Sequence, residues 1–411
     1  MWTAPVRGPE AAALHAAAEA DRAANPGRYV LDAEALSAAA LSKAGPDAVA
    51  RHGAALADLR PGLEAYVTSA RDEGRLTALG LRNVAGTVIG RLRARLAIAE
   101  RLARDPAIAE RRIDRPVFVI GGWRTGTTLL QRLLASLPGL RGAYPAELSA
   151  PWRFDGLDGP AREALIDAGE AAHALLHQLN PAMAAIHPSG GRLAEECVLA
   201  MGSDFRNWGF TSTLRCPSYA DWLADQDLAG SYRLYADILR LLDDGGGRRW
   251  VLKAPAHTAE LPALIAAFPD ARILHLHRDV VQTVTSGASL FAVFRSTYSD
   301  AVDPAEVGRY QLQTTAAWFD RAMAARRDLP AGAVVDVAYA DLAADPLATA
   351  KAICQALDIP WNDASQQAAE IRLAELRGQH GAHRYAPEDF GLDHDEILQR
   401  FAAHRSAVGL P

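Results

Sequence analysis

The sequence predicts an α/β protein, a P-loop-like parallel sheet flanked by helices and preceded by a mostly helical region. Two observations carry this. Short apolar runs rich in β-branched residues, typical of strands buried on both faces, each lead into a helical segment. From residue 116 onward such runs alternate with helices, which makes successive strands parallel and the helices their crossovers. Before residue 116, alanine and leucine recur at helical spacing and no such run occurs.

The N-terminal helices are expected over 11–24, 33–43, 48–69 and 76–102, with Gly and Pro between them. They carry no cluster of reactive side chains and read as a lid or an oligomerisation element. The pattern changes at Pro116. Val117-Phe118-Val119-Ile120 is the first strand, followed by a glycine-bearing turn and a helix over 127–136. Trp250-Val251-Leu252 leads into a helix over 258–267, and Arg272-Ile273-Leu274-His275-Leu276 into one from Val280. Ala333-Val334-Val335-Asp336-Val337 leads into a helix over 346–357. The division is therefore a helical region over 1–112 and an α/β domain over 113–411. A mostly helical insertion at 159–243 is where acceptor specificity is expected to reside.

Composition narrows the function classes. A chain of 411 residues with a formal net charge of −6 offers no bulk attraction to nucleic acid. Cys197, Cys216 and Cys354 show no ligand spacing and suit a reducing compartment. The first twenty residues lack the continuous apolar core of a secretory signal, and no apolar run of about 18 residues occurs. A soluble cytoplasmic protein without a membrane span is expected; nothing in the sequence sets its oligomeric state, and a homodimer is one option.

The loop Gly121-Gly122-Trp123-Arg124-Thr125-Gly126-Thr127-Thr128 joins a strand to a helix. In that setting backbone N–H groups and the positive helix end converge on an anion. Gly121 and Gly126 have the separation of a nucleoside triphosphate loop, but Thr127 stands where that loop has lysine. The cation has moved inside the loop, to Arg124. This argues against a kinase, and a loop with one cation and two hydroxyls suits a less charged phosphosulfate.

Arg124-Thr125-Gly126-Thr127-Thr128-Leu129-Leu130 after an apolar strand resembles the 5′-phosphosulfate loop of PAPS-dependent sulfotransferases, where PAPS is 3′-phosphoadenosine 5′-phosphosulfate. The resemblance implies PAPS as co-substrate, a small-molecule acceptor, and donor contacts from Arg124, Thr125, Gly126, Thr127 and Thr128. The strand ending at Arg278, with Ser286 eight residues on, resembles the family's 3′-phosphate motif; arginine offers that phosphate a bidentate fork. Gly381-Ala382-His383-Arg384-Tyr385 resembles a C-terminal segment of bacterial members and makes Arg384 a further 3′-phosphate candidate.

Sulfuryl transfer also needs a base and a cation. Lys253 ends a strand and resembles the lysine that contacts the transferring group. Lysine otherwise occurs only at Lys43 and Lys351, arginine being the other basic residue throughout. For the base there are two candidates: Glu147, in the region where some members carry a catalytic glutamate, and His257, four residues after Lys253. Glu195 and Glu196, adjacent in a helical insertion, would point to different faces and read as a solvated surface. His275 and His277 alternate along a strand as packing residues, and no set with ligand spacing calls for a metal. Trp208, Phe210, Trp222 and Phe291 are candidates for an apolar acceptor pocket. The rivals are a small-molecule kinase of similar fold and an inactive nucleotide-binding protein.

Overall fold

The computed structural model describes residues 2–377 and 385–410, apart from the side chains of residues 172 and 173. Five helices come first: α1 (Pro9–Ala24), α2 (Ala33–Ala44), α3 (Pro46–His52), α4 (Arg60–Glu73) and α5 (Ala78–Arg104). Asp32 caps α2 by accepting from the Ala35 amide, and Thr77 caps α5 by accepting from that of Gly80. The helix expected over 48–69 is broken. Pro61 lies in the first turn of α4 and lacks the N–H that would continue a helix from α3, so a 3-10 turn, Gly53–Leu56, intervenes.

The α/β part follows as β1 (Val117–Gly121), α6 (Thr127–Ala135), β2 (Leu140–Arg141) and α7 (Pro145–Ser149). The insertion carries α8 (Gly159–Leu179), α9 (Ala182–Ile186), α10 (Gly209–Thr213), α11 (Pro217–Ala224) and α12 (Ala229–Leu241). Then come β3 (Arg249–Lys253), α13 (Leu261–Ala267), β4 (Arg272–His277), α14 (Val280–Ser296) and α15 (Pro304–Ala325). The chain closes with β5 (Val334–Ala338), α16 (Tyr339–Ala344), α17 (Pro346–Ala356), α18 (Asp363–Leu376), α19 (His394–Arg400) and α20 (Ala402–Val408). The helix expected from 258 starts later, at Leu261, after a 3-10 turn over Pro255–Ala259.

The strands form one parallel sheet in the order β2-β3-β1-β4-β5. β1 lies between β3 and β4, with Val117 registered on Val251 and on Arg272. The chain leaves β1 toward β2 and β3 on one side and later passes to β4 and β5 on the other. A crevice at the carboxyl ends of strands opens at such a switch point. Gly121, Lys253 and His277, the last residues of three adjacent strands, therefore share one edge.

Side chains alternate across the sheet. Val117 and Val119 face a cluster with Leu133, Leu274 and Ile353. Phe118 and Ile120 join a larger cluster that also contains Leu63, Val84 and Leu92 of the N-terminal helices. The helical region and the sheet thus bury their apolar surface in one core, which brings α5 over the crevice.

Candidate functional site

The loop after β1 takes its path because glycine occupies its two tightest points. Gly121 has φ 141°, and a Cβ there would lie 2.6 Å from the Leu276 carbonyl oxygen. Gly126 has φ 87° and precedes α6 with no side-chain cap. The first-turn N–H groups of α6 therefore remain available to an anion, on the positive end of the helix. Thr125 Oγ1 donates to the Gly122 carbonyl at 2.8 Å and braces the turn, while the Gly121 amide donates to Thr258 Oγ1 at 3.1 Å. Thr127 is buried and Thr128 partly so at the helix start.

Arg124, itself at φ 58°, donates from Nη1 to the Ile186 carbonyl at 2.8 Å. Burial pushes its guanidinium below the ordinary arginine value, and nearby Arg278 acts in the same direction. Arg278 Nη1 donates to the Arg124 carbonyl at 2.6 Å, Nη2 donates to Gln282 Oε1 at 2.5 Å, and the guanidinium lies 4.2 Å from the Tyr339 ring centre. Asp279 caps α14 through the Gln282 amide and fixes that corner. Two cations from separate strand ends thus flank the uncapped helix. Ser286 is buried on α14. Arg384 lies outside the described residues.

Beside this crevice lies an apolar cavity of about 290 Å³, bounded by Trp123 of the loop, Trp208, Phe210, Phe291 and Trp318. Trp123 packs on Phe291 and Trp318 with ring centres 5.0 and 5.4 Å apart. Of the aromatics expected in an acceptor pocket, Trp222 alone is elsewhere, against Tyr219 on α11. Tyr66 of α4 and Thr87 and Arg91 of α5 also line the cavity, so the N-terminal helices supply part of its wall.

The carboxylates in the cavity are the pair that read as a solvated surface. Glu195 and Glu196 lie on an irregular stretch before a 3-10 turn at Cys197, not on a helix, and both line the cavity. Glu196 Oε1 accepts from Lys253 Nζ at 2.5 Å, with the lysine side chain 1% exposed and the glutamate 21%. Glu195 is buried against Arg132 at 3.7 Å and His187 at 3.3 Å. Burial opposes its ionisation, but His187, Lys253 and Arg132 outweigh that and hold the carboxyl well below the usual range. An i,i+1 pair offered no periodic signal; only Lys253, far away in sequence, reveals what Glu196 faces.

Glu147 and His257 are placed otherwise than the sequence suggested. Glu147 is fully buried on α7, accepting from Arg141 at 2.7 Å, from Arg162 at 2.5 Å and from the Tyr144 amide at 2.9 Å. Its role is a helix cap and a buried ion pair, away from the cavity. His257 is fully buried among Phe118, Tyr232 and Tyr235, with Nδ1 2.7 Å from the Tyr232 hydroxyl. Burial, helped by Lys253, pushes its pKa down to about 3. Pro255 and Ala256, not His257, reach the cavity.

Among the described residues two sets of ligand-type atoms come within 4.8 Å of one another despite lacking ligand spacing in sequence: His275–His277–Asp336 and His187–Glu195–Glu196. Both already hold protein cations. Arg326 donates to Asp336 at 2.6 and 2.7 Å and to His275 Nδ1 at 3.1 Å, and Lys253 engages Glu196.

Known proteins share this fold. A chain in the crystal structure of a sulfotransferase from Mycobacterium tuberculosis H37Rv superposes with TM-score 0.77 at 29% identity, covering 90% of this chain and 98% of that one. A Mycobacterium avium sulfotransferase shares the fold, with TM-score 0.79 at 22% identity over 93% of this chain and 98% of its own. An omega-hydroxy-beta-dihydromenaquinone-9 sulfotransferase of Mycobacterium tuberculosis is 27% identical over 173 residues, 40% of this chain; the match spans only 42% of that relative's length. The sequence model of the sulfotransferase family matches residues 116–363, from the start of β1 to the start of α18, and the chain belongs to that family.

Proposed function

We propose that the protein transfers a sulfuryl group from PAPS to a hydroxyl of an apolar small molecule. The observation that carries this reading is the Lys253–Glu196 pair: Glu196 lines the apolar cavity, a wall of which is Trp123 of the anion-binding loop, and Lys253 holds it from the end of β3.

The α6 amides, Arg124 and the loop threonines fit a 5′-phosphosulfate, and Arg278 with Ser286 fits a 3′-phosphate. The donor would supply an electrophilic sulfuryl group. Glu196 would take the proton from the acceptor hydroxyl, and Lys253 orients that carboxylate through its hydrogen bond. The buried Lys253 ammonium would also face the negative charge that collects on the leaving phosphate. Trp123, adjacent to Arg124, excludes water on the acceptor side. The apolar walls support an acceptor with a long apolar chain, as the hydroxylated menaquinone named for the curated relative has.

Titration of the full chain with 3′,5′-ADP and with ATP, each with and without Mg²⁺, tests the donor. Tighter, Mg²⁺-dependent ATP binding would sink the reading in favour of a kinase. Incubation with radiolabelled PAPS and long-chain alcohols tests transfer.

A further inference from the structure

The acceptor cavity continues beyond its aromatic walls. Thr87, Arg91 and Leu199 line it and also line a second, open groove between α2, α3, α5 and the turn around Trp152. The two spaces therefore meet at these three residues. The groove is cationic: Lys43, Arg51, Arg93 and Arg104 line it against one acid, Glu100. Glu100 is engaged by Arg51 and Arg104, which leaves the exposed Lys43 and Arg93 as excess positive charge.

Arg91 stands at the junction. Its Nη1 donates to the Leu199 carbonyl at 2.7 Å, and among the described residues it forms no ion pair. Burial lowers its pKa to about 10, so it is charged at neutral pH. Half-buried between the two spaces and without a carboxylate partner among the described residues, its guanidinium is free to meet an anion from either side. Its planar fork matches carboxylate and phosphate alike. An ordinary surface arginine would not line an apolar cavity from within.

We propose that the acceptor is a long aliphatic alcohol with an anionic group at its far end. The hydroxyl lies at Glu196, the chain follows the Trp208 and Phe210 walls, and the anion is bound by Arg91 at the cationic groove. This rests on Glu196 marking the reacting end. The N-terminal helices then select the acceptor, since both the junction arginine and the groove's cations come from them.

The test is calorimetric titration of the full chain, saturated with 3′,5′-ADP, with ω-hydroxypalmitate and with its methyl ester. The free acid is expected to bind about tenfold tighter than the ester, as one charge-assisted contact implies. Arg91→Gln should bring the acid down to the ester's affinity. If that variant does not fold, Arg93→Glu on the exposed rim should reduce the same preference. A wild-type preference below about fivefold, no binding of either ligand, or a preference that survives Arg91→Gln overturns the proposal. The titration reads binding and not transfer. Acid preference without any sulfuryl transfer would sink the proposed reaction alone, whereas transfer to neutral alcohols without acid preference would sink the anionic end alone.

Discussion

Lys253 Nζ lies 2.5 Å from Glu196 Oε1, joining the end of β3 to the irregular stretch ahead of Cys197 at the wall of the apolar cavity. The pair makes a lysine at this position of an arginine-rich chain intelligible, because a compact ammonium with rotatable donors can serve a carboxylate from a buried position. Glu196→Gln keeps the shape and removes the proton acceptor. Its turnover should fall by about 10²- to 10⁴-fold while 3′,5′-ADP still binds with wild-type affinity. Turnover within a few-fold of wild type in steady-state assays would remove Glu196 from the role.

Glu147→Gln should separate structure from catalysis. The substitution leaves Arg141 and Arg162, both buried, facing a neutral amide, and breaking such a buried pair costs about 3–5 kcal/mol. Urea unfolding should show that loss, while turnover per folded molecule stays near wild type. A variant of undiminished stability but abolished turnover would return Glu147 to the candidates for the base.

Which parts of this site were legible in the sequence follows from how far apart their causes lie. The Arg124 loop and Arg278 could be read because each sits at the end of a strong apolar run, and strand-end chemistry is local. β2 could not, since two residues carry no period. The α3–α4 break was hidden by the run of alanines, Ala48, Ala50, Ala54, Ala55 and Ala57, that leads up to Pro61. Glu196 was missed because its meaning depends on Lys253, and Glu195 because it depends on Arg132 and His187; a helical reading of the insertion also sent the two acids to opposite faces. Glu147 misled for the converse reason: a glutamate near the loop helix satisfies a local cap as readily as it serves chemistry.

Arg278→Ala tests the 3′-phosphate assignment. The guanidinium is fixed by the Arg124 carbonyl, Gln282 and Tyr339, so it is preorganised for an anion. Loss of a charge-assisted contact should weaken 3′,5′-ADP by about 1.5–3 kcal/mol and leave 5′-AMP almost unaffected. Equal losses for both nucleotides, measured by calorimetry, would show that Arg278 supports the loop and not the 3′-phosphate. Arg278→Lys should recover only part of the difference, because an ammonium cannot reproduce the fork.

Acid should destabilise the fold well before its carboxylates protonate. Burial lowers the pKa of His257 to about 3 and of His404 to about 4, and holds His275 well below its ordinary value. Each is neutral in the folded chain, whereas unfolded histidine takes a proton near pH ~6.5. Below that pH the unfolded state binds more protons, so stability falls as pH drops from about 6.5 toward the folded values. The slope is about 1.4 kcal/mol per pH unit for each such histidine. His404, whose two ring nitrogens have no hydrogen-bond partner among the described residues and whose ring centre lies 4.3 Å from that of Phe319, can be replaced by phenylalanine with little change of shape. His404→Phe should therefore flatten the pH dependence of urea unfolding between about pH 6 and 5 by one histidine's share. An unchanged slope would mean that His404 is protonated in the folded chain, with Asp320 or Asp336 as its counter-ion.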